Sequence, residues 1–247
     1  MKLQEIFDLL SEGELSMLSM AGEAQGIINE TVYPTILRHV NLGLLTLFRR
    51  FNLREDSFLL DIQTGQTRYN LKSQFAVTGK GKEPVRYIRD SVSHPFKDDL
   101  LKVEVVETLK GIKFVLNDRS NPFSVLTPST FELQIPKEVA DQSVSLPDEY
   151  KTPTLVVHYR AKHPEIKIPL GYFDPARVEV DLPPAYLQAL LYFVASRIHT
   201  PRGLANETEV GNVWFSKFEA ECQRLELENL EIDQGIENTR LERGGWV

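Results

Sequence analysis

The stretch "DLPPAYLQALLYFVASRIHT", residues 181–200, limits what this chain can fold into more than any other. At helical spacing Leu187, Leu190, Leu191, Val194 and Ile198 form one face, and Tyr186, Ala189 and Phe193 form a second. Only Gln188 and Arg197 are plainly polar within it. A helix that is apolar nearly all round has to be covered on several sides, so this one is predicted to sit at the centre of a helical bundle. Asp181 is the expected N-cap, prolines 183 and 184 suit the first turn, and "PRG" after Thr200 stops the helix.

Other segments can supply the cover. Leu3, Ile6, Phe7 and Leu10 recur at helical spacing before "SEGELS" breaks the pattern. A longer helix is predicted from Tyr33 and Pro34, carrying Ile36, Leu37, Val40, Leu44, Leu47, Phe48 and Phe51 in a wide apolar stripe. A last helix, from about Glu207 to Leu230, places Val210, Val213, Trp214, Phe218, Cys222, Leu225 and Leu230 on one side and acids on the other. The bundle is therefore expected to use both ends of the chain, 1–54 and 182–230.

Between them the period changes. From about Glu55 the chain runs in short alternating stretches punctuated by turn residues: "SFLLDIQ", "TRYNL", "FELQIP", "TPTLVVHYRAKHPEIKIPLGYF" and "ARVEVDL". "LLKVEVVETLKGIKFVLND" reads as a hairpin turning at Leu109 to Gly111. Six or seven strands are predicted across residues 55–181, a small antiparallel sandwich or barrel. The fold class is thus α+β: a helical bundle built from N- and C-terminal helices, an inserted antiparallel β domain, and an extended C-terminal arm over residues 231–247, where the helical pattern fades.

Composition narrows the function. With 42% hydrophobic and 26% charged residues the chain is of ordinary globular type. A net charge of −7 is wrong for a protein that wraps nucleic acid by neutralising phosphates. From residue 200 onward ten acidic residues face five basic ones, so most of the excess acidity lies in the last fifth. The single cysteine, Cys222, leaves no internal disulfide and no sulfur-rich metal site. Acids interrupt the opening "MKLQEIFDLLSEGEL" where a signal peptide needs an apolar run, and no window is apolar enough to span a bilayer, which points to a reducing cytosol.

Motifs for catalysis are sparse, and no enzyme activity, cofactor or metal is expected. "TGKGKEPVRYIRD" lacks the spacing of a phosphate-binding loop, so its Lys80, Lys82, Arg86 and Arg89 read as a basic loop that could touch DNA or an acidic partner. His39, His94, His158, His163 and His199 are scattered, and only His158, His163 and Glu165 lie close enough in sequence to suggest ligands. Cys222 falls on the apolar side of its helix, as a small hydrophobe would. No Gly-x-Ser-x-Gly is present, and the carboxylates of "EAECQRLELENLEID" are spaced as a wet helical face.

Taken in order, "IFDLLSEGELSML", "YPTILRHVNLGLLTLFRRF", "LPPAYLQALLYFVASRIHTP", "NVWFSKFEAECQRLE" and the ending "RGGWV" resemble the head-to-tail adaptor (head completion or connector) proteins of tailed bacteriophages. The resemblance implies a virion structural protein, assembled in the host cytoplasm, that forms a homo-oligomeric ring, a dodecamer, beneath the portal protein. Such a ring extends the DNA channel, lets DNA pass without sequence-specific binding, docks a tail or nozzle protein and involves no membrane. It also implies an arm that reaches the portal, over Arg240, Leu241, Arg243, Gly244, Gly245, Trp246 and Val247: Arg240 and Arg243 alternate with acids, Gly244 and Gly245 give the backbone freedom, and Trp246 with Val247 forms an apolar plug. The acidic face of the last helix is a candidate lining for the channel. Two other readings remain open at this point, a tail-tube terminator or nozzle protein of the same virion, and a cytosolic enzyme or carbohydrate-binding protein using the β region.

Overall fold

The computed structural model describes residues 1–16, 28–79, 84–144, 146–169, 173–199 and 205–228, with side chains of the last segment described from Glu209. The fold is α+β, and the described residues divide into two units: those up to Leu53 together with those from Glu165 on, and the continuous stretch Arg54–Pro164. No helix among the described residues is long and apolar enough to cross a membrane.

The first unit is helical: α1 (Leu3–Glu12), α2 (Tyr33–Arg50), α4 (Leu187–His199) and α5 (Ala205–Glu228). Helix α4 packs against α1, α2 and α5. Its Ala189, Leu190, Leu191, Phe193, Val194, Ala195 and Ile198 are all buried, which is what its apolar circumference demands. Pro34 stands in the first turn of α2, where its missing N–H costs nothing. On α2, Gly43 lets α4 come close, since a Cβ there would lie 2.6 Å from a Leu190 methyl and 3.0 Å from the Phe193 ring. Phe51 and Tyr186 meet edge to face at 4.9 Å between centroids.

Helix α5 differs from its sequence pattern in one respect. Gly211, Phe218, Cys222 and Leu225 form its buried stripe, whereas Val210 and Val213 are 40% and 54% exposed. At 100° per residue those two valines turn away from the line through 211, 218, 222 and 225. Leu230, assigned to the same stripe, lies outside the described residues. The start of α4 also departs from expectation: a 3-10 turn, Pro184–Tyr186, precedes it, and the residue before that turn is Pro183 rather than Asp181.

The second unit holds β1 (Glu55–Asp61), β2 (Arg68–Asn70), β3 (Ile88–Arg89), β4 (Leu100–Thr108), β5 (Leu126–Ser129), β6 (Glu132–Gln134) and β7 (Thr154–Ala161), with one short helix, α3 (Lys137–Ala140). The strands form a four-stranded sheet of order β3-β1-β7-β4 and a three-stranded sheet of order β2-β6-β5, every pairing antiparallel. Leu155, Val157, Tyr159 and Ala161 of β7 point into the core while Val156, His158 and Arg160 are only half-buried, the period-2 signature of a sheet with one covered face. Leu60, Val106 and Val157 of the first sheet and Tyr69 and Leu133 of the second belong to one hydrophobic core.

One sequence expectation is met here in shortened form and another fails, each for a nameable reason. The "LLKVEVVETLKGIKFVLND" hairpin closes its turn, with Gly111 at φ 81°, but its return is a single bridge, Glu107 to Lys113. Asn117 then takes φ 59° and bends the chain away; the long partner of β4, on its other edge, is β7, about fifty residues on. The stretch read as strands after Ala161 forms none among its described residues. Prolines 164, 169 and 175 remove ladder donors, and the chain from Glu165 bonds to helices instead. Ile166 exchanges hydrogen bonds with the Asn41 side chain, 2.8 and 3.0 Å. The Leu3 N–H donates to Val178 O at 3.0 Å and the Val180 N–H to Met1 O at 2.9 Å. The compact β unit accordingly ends at Pro164.

On α2, His39 is held neutral. Burial lowers its pKa below the ordinary 6.5, with the charges of Arg38 and of Arg197 on α4 adding to the effect, and its Nδ1 has no hydrogen-bond partner. A depressed histidine takes up its proton first in the unfolded chain, so stability falls as pH drops below about 6.5. His39→Gln should flatten the stability-versus-pH curve between about pH 7 and pH 5 in denaturant titrations. An unchanged slope would show that His39 does not govern it.

Candidate functional site

The segment 73–79 is tied down by two aspartates that follow it in the chain. Asp98, at φ 56°, accepts hydrogen bonds from the Ser73 N–H at 2.6 Å and the Ser73 hydroxyl at 2.5 Å. Asp90 repeats the arrangement on Thr78: the backbone N–H donates at 2.9 Å and the hydroxyl makes a very short bond to the second carboxylate oxygen. That oxygen also takes the Phe96 N–H at 2.9 Å. Burial alone would raise the Asp90 pKa, but the bonds from Thr78 and Phe96 outweigh it and hold the carboxyl below its usual range. Gly79 is required beside this clasp, because a Cβ there would stand 1.9 Å from Ser73 O, a backbone atom that cannot swing away.

Of the basic residues of the neighbouring loop, Arg86 and Arg89 lie among the described residues. Arg86 donates to Val77 O at 2.7 Å, which fixes its guanidinium along the strand-like segment. Arg89 pairs with Asp61 at 2.5 Å, and Asp61 also accepts from the Thr154 hydroxyl at 2.8 Å. Both arginines therefore stitch local structure, while Lys80 and Lys82 lie outside the described residues.

A second region was not singled out by sequence. On the outward face of the three-stranded sheet, Arg68, Gln134 and Leu126 stand in one cross-strand row, and a loop over residues 117–124 walls it. The result is a cleft of about 530 Å³ whose polar lining is Arg68, Asn117, Arg119, Thr127, Glu132 and Gln134. A smaller cleft of about 260 Å³ adjoins it, sharing Arg119 and Gln134 and adding Asp118 and Glu138. The loop is held by its own side chains: Thr127 N–H to Asn117 Oδ1 at 2.8 Å, Asp118 N–H to the Ser124 hydroxyl at 3.0 Å, and Phe123 N–H to Asn121 Oδ1 at 2.9 Å. The Asn-Asp-x-Ser-Asn-Pro run from residue 117 announces such a loop; nothing local announces that it will face β2 and β6.

The remaining polar groupings have structural partners. His158 Nε2 lies 3.2 Å from Glu107 Oε1 and faces Ser57 across the β1–β7 ladder, but no hydrogen bond joins that serine's hydroxyl to the ring among the described residues. His163 Nδ1 sits 2.6 Å from Pro164 O, and among the described residues no group of three or more His, Cys, Asp or Glu side chains is placed to hold a metal. Burial pushes the Cys222 thiol up to about 12, the opposite of an activated nucleophile. Burial, with Asp99 accepting the hydroxyl at 3.1 Å, likewise pushes the Tyr159 pKa far up. On α5, Glu219 and Glu226 each lie 2.7 Å from Arg50, and Arg224 takes Glu221 at 2.6 Å and Glu228 closer still. The acidic face is thus largely tied to cations of its own unit.

The arm residues Arg240, Leu241, Arg243, Gly244, Gly245, Trp246 and Val247 lie outside the described residues. No protein-family model and no curated protein matches this chain.

The clasp yields a test. Asp90→Ala should lower the melting temperature at pH 7 and lose its effect on stability once the pH falls below the wild-type carboxyl's folded pKa, since a depressed carboxylate stabilises only while ionised. Gly79→Ala should destabilise at every pH, because its clash is steric. Equal pH profiles for the two variants would contradict the electrostatic role of Asp90.

Proposed function

We propose that this chain is a head-to-tail adaptor of a tailed bacteriophage: a virion structural protein that forms a ring beneath the portal, extends the DNA channel and docks the tail. In this reading the helices form the bundle, the β unit is an insertion between its halves, and the C-terminal residues are an arm that anchors on the portal. One observation carries it. The segments that resemble adaptors, 33–51, 182–201 and 212–226, contribute to the helices that pack on one another, α2 on α4 and α4 on α5.

Other features support the reading. A ring repeats one heterologous contact between neighbours, and Val210, Val213 and Phe215 give α5 apolar surface that its own unit leaves partly exposed. A channel that lets DNA slide gains from an absence of phosphate-gripping cations, and the chain carries a net charge of −7. Because Arg50 and Arg224 occupy four of the α5 carboxylates, the repulsion this helix could direct at DNA is weaker than its sequence suggests.

Co-sedimentation with purified portal, followed by imaging of the complex, tests the reading. The full chain is expected to appear as a ring on the portal, and a chain lacking residues 244–247 to keep its melting temperature while binding portal at least about tenfold more weakly, as loss of a buried aromatic anchor does. A chain that ignores portal, or takes a place at the tail tip, overturns the adaptor assignment. Undiminished portal binding by the truncated chain overturns the role of the arm.

A further inference from the structure

The 530 Å³ cleft on the three-stranded sheet has the character of a binding site for negative charge. Tyr69 and Leu133 are fully buried on the inner side of that sheet, so Arg68, Glu132 and Gln134, at alternating positions, stand on the outer side. Glu132 lies 3.8 Å from Arg68, which leaves Arg119 as a guanidinium with no ion pair or hydrogen bond among the described residues. Two guanidiniums against one carboxylate give the cleft a positive balance, and the amides of Gln134 and Asn117 line it between them. The walling loop is braced by its own hydrogen bonds, so a ligand meets a preformed surface. The adjoining smaller cleft carries Asp118 and Glu138, which confines an anionic ligand to the larger one.

The chain itself contains a segment of matching chemistry. From Leu225 to Thr239 it has five carboxylates, Glu226, Glu228, Glu231, Asp233 and Glu237, and no basic residue. Glu226 and Glu228 are taken by Arg50 and Arg224 of the same unit. Glu231, Asp233 and Glu237 have no cation in that run. Carboxylates two and four residues apart on an extended strand stand roughly 7 and 13 Å apart. These distances bracket the roughly 10 Å between the outer strands of a three-stranded sheet, here β2 with Arg68 and β5 beside Arg119.

We propose that this cleft docks the acidic stretch of a second copy of the chain, with Glu231, Asp233 and Glu237 set against Arg119 and Arg68. Binding of this kind would join copies to one another whether or not they sit on a portal, so its failure and that of the adaptor reading are separate results.

The test uses the full chain carrying Glu231→Gln, Asp233→Asn and Glu237→Gln, isotopically labelled, so that its own stretch does not compete. A synthetic peptide of residues 227–239 is titrated into it. Amide shifts are expected at residue 68, across 117–119 and at 126, 127 and 134. They should weaken in about 0.5 M salt, where exposed charges are screened within a few ångströms. Arg119→Ala, which removes no hydrogen bond or ion pair among the described residues, should weaken binding about tenfold, the worth of one charge-assisted pair. In sedimentation velocity the unaltered chain should self-associate with concentration, and Arg119→Glu should abolish this. Shifts elsewhere, or equal binding by a peptide with its acids replaced by amides, overturn the assignment of the cleft. An unaltered chain that stays monomeric at every concentration overturns the second copy as occupant, and cleft amides already shifted in that monomer would assign the stretch to the cleft of its own chain.

Discussion

Helix α4 has almost no surface that water could cover without cost. Nine of its thirteen residues, Ala189 to Leu191, Phe193 to Ser196, Ile198 and His199, are buried. A buried Leu, Val or Phe side chain favours the folded state by roughly 1.5–3 kcal/mol relative to leaving it in water, so α4 recruits whatever apolar stripes the chain can bring. Those stripes lie at both ends of the sequence: α1 and α2 before residue 51, α5 after residue 204. The partnership is tightened where bulk is removed. Gly43 on α2 faces Leu190 and Phe193 at distances that leave no room for a methyl group, and Phe193 in turn meets Phe218 of α5 edge to face at 5.2 Å. Arg197 lies over the rings of Phe193 and Phe215, so even the plainly polar position near the end of α4 is spent on aromatic surface.

The β unit is fixed by a different economy. Its strands are short, three of them only two or three residues long, and short strands hold register poorly unless side chains pin the connections. Asp90 and Asp98 do this by accepting the backbone N–H and the hydroxyl of one residue each, which closes the chain between β2 and β4 onto itself. Asn117, Asp118 and Asn121 brace the chain before β5 in the same manner. Strand β4 absorbs its mismatch with β7 in two irregularities, between Leu100 and Lys102 and between Val103 and Val105. The second of these brings Glu104 to 2.9 Å from Arg160, since an extra residue in one strand re-aims the side chain it carries.

What could be read from sequence was whatever depends on local period. The starts of α1 and α2, the body of α4 and most of α5 follow from apolar spacing, and the change to alternation after Glu55 marks the antiparallel strands. What could not be read depends on partners far away. The pairing of β4 with β7 joins residues about fifty positions apart, and the return strand after Gly111 is short because Asn117 turns left-handed, an option open to asparagine but not dictated by it. Residues 165–181 alternate like a strand in sequence, yet Ile166 bonds to Asn41 and Val178 and Val180 bond to Leu3 and Met1 instead of to a sheet. Arg86 and Arg89 look in sequence like free cations beside lysines, and only the fold reveals that Val77 O and Asp61 take them up. Arg119 carried no signal, since its cleft is assembled from β2, β6 and a loop fifty residues after β2.

A net of −7 read from composition suggests a uniformly repulsive molecule, but the structure sorts its carboxylates by employment. Those of α5 bridge to Arg50 and Arg224, those of Asp90 and Asp98 satisfy backbone and hydroxyl donors, and Asp61 serves Arg89 and Thr154. Exposed ion pairs of the α5 kind contribute only about 0–1 kcal/mol each, so their main effect is geometric. Arg50, at the end of α2, holds both Glu219 and Glu226, two turns of α5 apart, and the bond to Glu226 raises the pKa of the guanidinium further. A cation anchored at two points along a helix fixes the direction in which that helix runs past α2.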